Sequence, residues 1–98
     1  MVISGGVNIY PREVEEVIFR HPEVADVALI GVADDRWGEV LKAFVVRRAG
    51  SSLDEAALVA ALEGQISRMK LPKHVEFIAQ IPRNASGKVL KTALRARG

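Results

Sequence analysis

The sequence contains no cysteine, so disulfides and thiolate metal ligation are excluded, and a reducing, cytoplasmic setting is expected. Histidine is scarce. His21 and His74 stand far apart with no partner at metal-ligand spacing, and both read as structural, so no metal site is expected in this chain. Aromatic residues make up 5% of the chain, which leaves few surfaces on which bases could stack, and no RNA-module signature is present. No apolar run is long enough for a transmembrane segment, and the start, Met-Val-Ile-Ser-Gly-Gly, lacks the basic-then-apolar order of a signal peptide. Surplus charge is also missing. The balance of 14 Lys and Arg against 12 Asp and Glu gives a net charge of +2, too small for a general nucleic-acid binder.

Apolar content, in contrast, is ample. The 98 residues, 49% of them hydrophobic, suffice for one domain with one modest core. Val2-Ile3 is a strand edge ended by Ser4-Gly5-Gly6, and a chain that opens directly on a strand is expected to be cut from something longer. Pro11 suits the first position of a helix, where its missing N–H costs nothing. Val14, Val17 and Ile18 recur at helical spacing, which predicts a helix over residues 11–20, ended by His21-Pro22. Glu13 and Glu15 fall in its first turns and are expected to be solvated there. Residues 23–33, EVADVALIGVA, read as a largely buried strand, residues 39–48 as a second and residues 74–81 as a short third. Ser52 and Glu55 match a capping box, and Leu58, Leu62 and Ile66 predict a helix over residues 53–68. Residues 83–88 form a polar loop. Residues 89–97 form a basic segment with Leu90 and Leu94 on one helical face, and no acidic residue lies between Arg83 and Arg97. The fold class is therefore α/β (α+β), a small sheet of about three strands with helices packed on it.

Residues 84–91, NASGKVLK, carry a Gly-Lys pair of the kind found in phosphate-handling loops. The nucleotide P-loop does not fit. The position five before Gly87 is Pro82 rather than glycine, and Val89 after Lys88 has no hydroxyl for Mg²⁺. Taken alone, the pair reads as a turn with a solvated lysine. Three longer stretches change that: ISGGVNIYPREVEEV (3–17), DDRWGEVLKAFVV (34–46) and KLPKHVEFIAQIPRNASGKVLK (70–91). In this order and at this spacing they resemble the C-terminal lid domain of ATP-dependent, AMP-forming acyl-CoA synthetases (fatty-acid–CoA ligases) of the adenylate-forming superfamily. The resemblance covers essentially the whole chain. The stretch SGGVNIYP fits the acyl-CoA ligases better than the peptide-synthetase adenylation domains, which carry Arg-Gly-x-Arg-Ile-Glu there, or the luciferases, which carry Tyr-Lys-Gly.

The resemblance implies that residues 1–98 are a mobile lid, partnered by the N-terminal ATP-binding domain of the same enzyme. The substrates would be ATP, CoA and a small-molecule carboxylate, with Mg²⁺ in the full-length enzyme and none of these bound tightly by this chain, which alone would be inactive. A carboxylate attacks the α-phosphate of ATP to give acyl-AMP and pyrophosphate, and the CoA thiol then displaces AMP. Lys88 would be catalytic in the first step, as a compact cation aimed at developing negative charge, with Gly87 supporting the loop. Gly5, Gly6 and Val7 would be CoA-binding and wall the pantetheine tunnel in the second. Trp37 is expected to pack on the core. Lys91 and Arg95 read as solvated or phosphate-steering charges. Arg68, Lys70 and Lys73 read as surface charges or contacts to the CoA phosphates. Two alternatives stay open: a carrier-protein thiol as acceptor, and a non-enzymatic module that binds through the basic C-terminal segment.

Overall fold

The computed structural model describes residues 1–97. The elements in order are β1 (Val2–Ser4), β2 (Val7–Ile9), α1 (Pro11–Phe19), β3 (Val24–Asp34), β4 (Gly38–Arg47), α2 (Glu55–Leu62), a 3₁₀ turn (Arg68–Lys70), β5 (His74–Phe77) and α3 (Lys91–Arg97). They make an α+β fold with an open five-stranded sheet. β4 is its centre. It runs antiparallel to β3 over its whole length on one side. On the other side it meets β1 at Ser4↔Gly38 and runs parallel to β5 from Lys42↔His74 to Val45↔Phe77. Parallel pairing of β4 and β5 requires a long crossover, and α2 lies within it.

β3 and β4 are buried on both faces. Val27 and Leu29 of β3, with Leu41, Ala43 and Val45 of β4, join Val14 and Ile18 of α1 and Leu58 and Leu62 of α2 in one core. Ala28, Ile30 and Phe44 meet Ile81 and Leu94 of α3 in a second. Two-sided burial is why these strands read as continuous apolar runs rather than as alternation. The three expected strands are β3, β4 and β5. The sheet gains two more because Gly5-Gly6 folds the first residues into the hairpin β1–β2.

Several expected boundaries shift for physical reasons. The cap of α2 is Asp54 rather than Ser52: its carboxylate accepts a hydrogen bond from Ala57 N at 2.8 Å. The helix ends at Leu62, and the side-chain amide of Gln65 donates to Ala61 O at 2.6 Å. Ile66 still packs against the core from the following turn, so its four-residue spacing imitates a longer helix. β5 stops at Phe77 because the chain crosses to the other face, where Ile81 is buried. Leu94 anchors α3, whereas Leu90 remains 38% exposed.

The early glutamates are not merely solvated. β3 is an edge strand, and Glu15 Oε2 accepts a hydrogen bond from Leu29 N at 2.7 Å, so a helix side chain satisfies a strand donor and blocks that edge. Glu13 Oε1 pairs with Lys70 Nζ at 2.6 Å and ties α1 to the 3₁₀ turn. Glu76 of β5 accepts from Arg97 Nη2 at 2.9 Å and lies 3.1 Å from Lys42 Nζ, which joins α3 to the sheet.

Two outcomes are expected in urea denaturation. Glu15→Ala leaves the Leu29 N–H without its partner and should cost about 1–3 kcal/mol, while Glu15→Gln, which keeps an acceptor oxygen, should cost clearly less; an unchanged midpoint for the alanine variant would refute the bracing role. The second concerns Glu76, whose pKa is held below the ordinary carboxylate value by hydrogen bonds from Arg97 and then Lys42. A carboxylate with a folded pKa below its unfolded one contributes stability that is complete at neutral pH and is lost as pH falls through the folded value. The midpoint gap between wild type and Glu76→Gln should therefore be widest near neutrality and close below about pH 4.3.

Candidate functional site

Lys88 stands on a tightly tied loop. Leu90 N donates to Pro82 O at 2.9 Å, and Arg83 pairs with Val89 in an isolated antiparallel bridge, closing the loop base. Asn84 organises the interior. Its Oδ1 accepts from Ser86 N at 2.9 Å and Lys88 N at 3.0 Å. Its backbone N donates to Lys88 O, and its carbonyl accepts from Gly87 N, both at 2.9 Å. Asn in the first position and Gly in the fourth is common β-turn chemistry, and Gly87 takes a left-handed φ of +85°. Arg83 Nη1 donates to Gly87 O at 3.0 Å, and its Nη2 lies 2.9 Å from each carboxylate oxygen of Asp26 on β3. The Lys88 backbone is thus fixed at both N and O. Its side chain is exposed and, among the described residues, has no ion pair or side-chain hydrogen bond. It lines an open groove with Val89, Leu90, Lys91 and Thr92. Lys91 and Arg95 also have no ion pair among the described residues.

Gly5 and Gly6 form a second site. The register Ser4↔Val7 leaves a two-residue turn, and both glycines have positive φ, +56° and +83°, as a type I′ hairpin requires. Their surroundings differ. Gly5 N donates to Trp37 O at 2.9 Å, and a Cβ at Gly5 would lie 2.7 Å from Trp37 Cε3. A Cβ at Gly6 would meet nothing within 4 Å. Val7 is half-buried against the core. Trp37 therefore packs on the turn rather than on the core. It is placed by Asp34, whose Oδ1 accepts from Arg36 N at 2.8 Å and Trp37 N at 2.9 Å. Arg36 and Lys73 stand 5.5 and 5.7 Å from its ring centroid. Lys70 is engaged by Glu13, whereas Arg68 and Lys73 have no ion pair among the described residues. His21 Nδ1 accepts from Glu23 N at 3.1 Å, a turn-stabilising role.

The sheet holds these two sites apart. The Lys88 loop is tied to Asp26, which is in register with Val46 near the end of β4. The glycine turn meets β4 at its start, through Ser4↔Gly38. Eight strand positions at about 3.3 Å each put the two attachment points roughly 26 Å apart. Gly5, Gly6 and Val7 are thus grouped with Trp37, and Gly87 and Lys88 with Arg83, Asn84 and Asp26, but the groups do not meet. The spacing Asn84-x-x-Gly87 could have flagged the turn. Nothing in the sequence couples Arg83 to Asp26, 57 positions away.

Among the described residues, no group of three or more His, Cys, Asp or Glu could hold a metal ion, so these side chains do not offer a Mg²⁺ site. No helix among them is long and apolar enough to cross a membrane.

Known proteins share this fold. The family model described as AMP-binding enzyme C-terminal domain matches residues 13–88, which begins after the glycine turn and ends at Lys88. The indoleacetate–CoA ligase of Aromatoleum aromaticum is 50% identical over 97% of this chain and 19% of its own length. A Mycobacterium tuberculosis fatty acyl CoA synthetase structure superposes with a TM-score of 0.92 at 46% identity, over 99% of this chain and 19% of that one. ATP-bound MatB from Rhodopseudomonas palustris gives 0.94 at 43% identity, again over 99% and 19%. This chain thus spans about a fifth of the length of the relatives it matches. With the matched model covering more than half of its residues, the chain belongs to the AMP-binding enzyme C-terminal domain family, whose members among its relatives include CoA ligases.

Proposed function

We propose that this chain is the mobile lid of a cytoplasmic, ATP-dependent, AMP-forming acyl-CoA ligase, with Lys88 serving adenylation and the Gly5-Gly6-Val7 turn bordering the pantetheine arm of CoA. The observation that carries this reading is the placement of two prepared loops at opposite ends of one stiff ribbon. A single cleft can receive only one of them at a time, which suits two successive reactions served by a rotating lid. The sites for ATP, Mg²⁺ and the acyl group belong to an N-terminal domain of the longer protein.

In the first step the Lys88 ammonium stabilises charge developing on the α-phosphoryl oxygens and the attacking carboxylate. Its fixed backbone suits that task, as does a side chain that forms no ion pair among the described residues. In the second step the open side of Gly6 lets the backbone lie against a thin thioester arm. The Trp37 ring and the nearby Arg36 and Lys73 suit the nucleotide and phosphates of CoA.

In the full-length enzyme, Lys88→Ala should slow pyrophosphate release by about 100- to 1,000-fold, roughly 3–4 kcal/mol, while synthetic acyl-AMP still reacts with CoA at near the normal rate. A solvated turn lysine predicts no loss in either step. A carrier-protein acceptor predicts the same adenylation loss with little turnover of free CoA. Adenylation within about threefold of wild type, far from the loss of a transition-state cation, would overturn the assignment.

Gly6 allows a test of the other loop. Gly6→Ala and Gly6→Leu share the strain of a positive φ but differ in bulk, and the domain itself has open space there. The two variants should unfold at similar urea concentrations. Thioester formation from acyl-AMP should fall further for leucine than for alanine, with adenylation less affected. Equal rates for the two variants would place CoA elsewhere.

A further inference from the structure

At the base of the Lys88 loop stands a guanidinium, that of Arg83, which the adenylation chemistry above does not use. We propose that Arg83, held by Asp26, is the positioning residue for Lys88, an inference that rests on the adenylation role given to that lysine. The chain of contacts is short and continuous. Asp26 follows an irregularity in the β3 ladder between Val24 and Asp26, the kind of local distortion that re-aims a side chain. Its carboxylate is fixed locally, because Oδ1 also accepts from Val27 N at 2.9 Å. Arg83 Nη2 lies 2.9 Å from both carboxylate oxygens, and Nη1 donates at 3.0 Å to the carbonyl of Gly87. That carbonyl belongs to the peptide bond whose N–H is Lys88 N, itself held by Asn84 Oδ1. One planar fork therefore ties the peptide leading into Lys88 to a strand of the sheet.

Stability is not a sufficient reason for this pair. Both side chains are partly exposed, 38% for Arg83 and 28% for Asp26, and exposed ion pairs contribute little to folding. What the fork adds is direction. Arginine presents several donors in fixed relative positions, whereas lysine is a single point charge on a flexible stem. Without Arg83 the loop keeps its Asn84 turn but loses the brace that sets its angle to β3. A direct role on substrate fits less well, since both terminal nitrogens are already engaged.

The test uses the full-length ligase and follows pyrophosphate release separately from the reaction of synthetic acyl-AMP with CoA. Arg83→Ala should lower the adenylation kcat by roughly 10- to 100-fold, the loss typical of misplacement by about 1 Å. The KM for ATP should stay nearly constant, and the acyl-AMP reaction should keep its rate. Asp26→Asn, of the same shape, should give a smaller loss of the same kind and covers the case in which Arg83→Ala does not fold. Arg83→Lys should rescue little. The double variant Arg83→Ala/Lys88→Ala should be no slower than Lys88→Ala alone, because Arg83 acts only through the lysine. Several results would overturn the proposal. Wild-type adenylation in both Arg83→Ala and Asp26→Asn, with the loss intact in Lys88→Ala, removes the positioning role and leaves the lysine's. A further drop in the double variant makes Arg83 a substrate contact. Equal loss of both half-reactions with a lower unfolding midpoint makes it mere support. Normal adenylation by Lys88→Ala sinks the lysine assignment and this inference with it.

Discussion

The pairing of Val24–Asp34 with Gly38–Arg47 is the constraint on which the rest of the domain depends. Both strands carry large apolar side chains on both faces, so one ladder organises two cores at once. A slip of one residue would send Val27 and Leu29 toward α3, and Ala28 and Ile30 toward α1 and α2. Neither core would then have the volumes it needs, so the register is strongly specified. The position of everything attached to the ribbon follows. The glycine turn hangs from its Gly38 end, and the Lys88 loop is tied to Asp26 at the other.

The two loops are built by the same local device. Asp34 Oδ1 accepts from the backbone of Arg36 and Trp37. Asn84 Oδ1 accepts from the backbone of Ser86 and Lys88. In each case one short side chain gathers two N–H groups that a strand or helix would otherwise satisfy. Exposed loops can hold a definite shape in this way without a core of their own.

Much of this was legible along the chain, because its signals are local. Pro11 with Val14 and Ile18 marked α1, and the Val- and Ile-rich run before Asp34 marked β3. Gly87 and Lys88 stood together as a turn with a projecting charge, although the part Asn84 plays in that turn was not read. What escaped depends on pairs distant in sequence. Ile66 kept helical spacing while lying outside the helix, because a turn brings it to the same core. Glu15 looked like a solvated first-turn carboxylate, and only the packing of α1 along β3 reveals the amide it serves. Gly5 looked like a ligand contact, yet the ring of Trp37 already forbids a side chain there. Gly6, beside it, is free of that internal demand.

The ribbon also acts as a ruler. The glycine turn and the Lys88 loop are joined through a strand whose length comes in steps of one residue, about 3.3 Å each. A single inserted residue would turn every later side chain to the opposite face, so the span can grow only by paired insertions in both strands, in steps of about 7 Å. The reach between the loops is therefore coarse-grained by strand geometry. Fine adjustment falls to the turns at either end, where a changed loop residue moves a tip without disturbing the sheet.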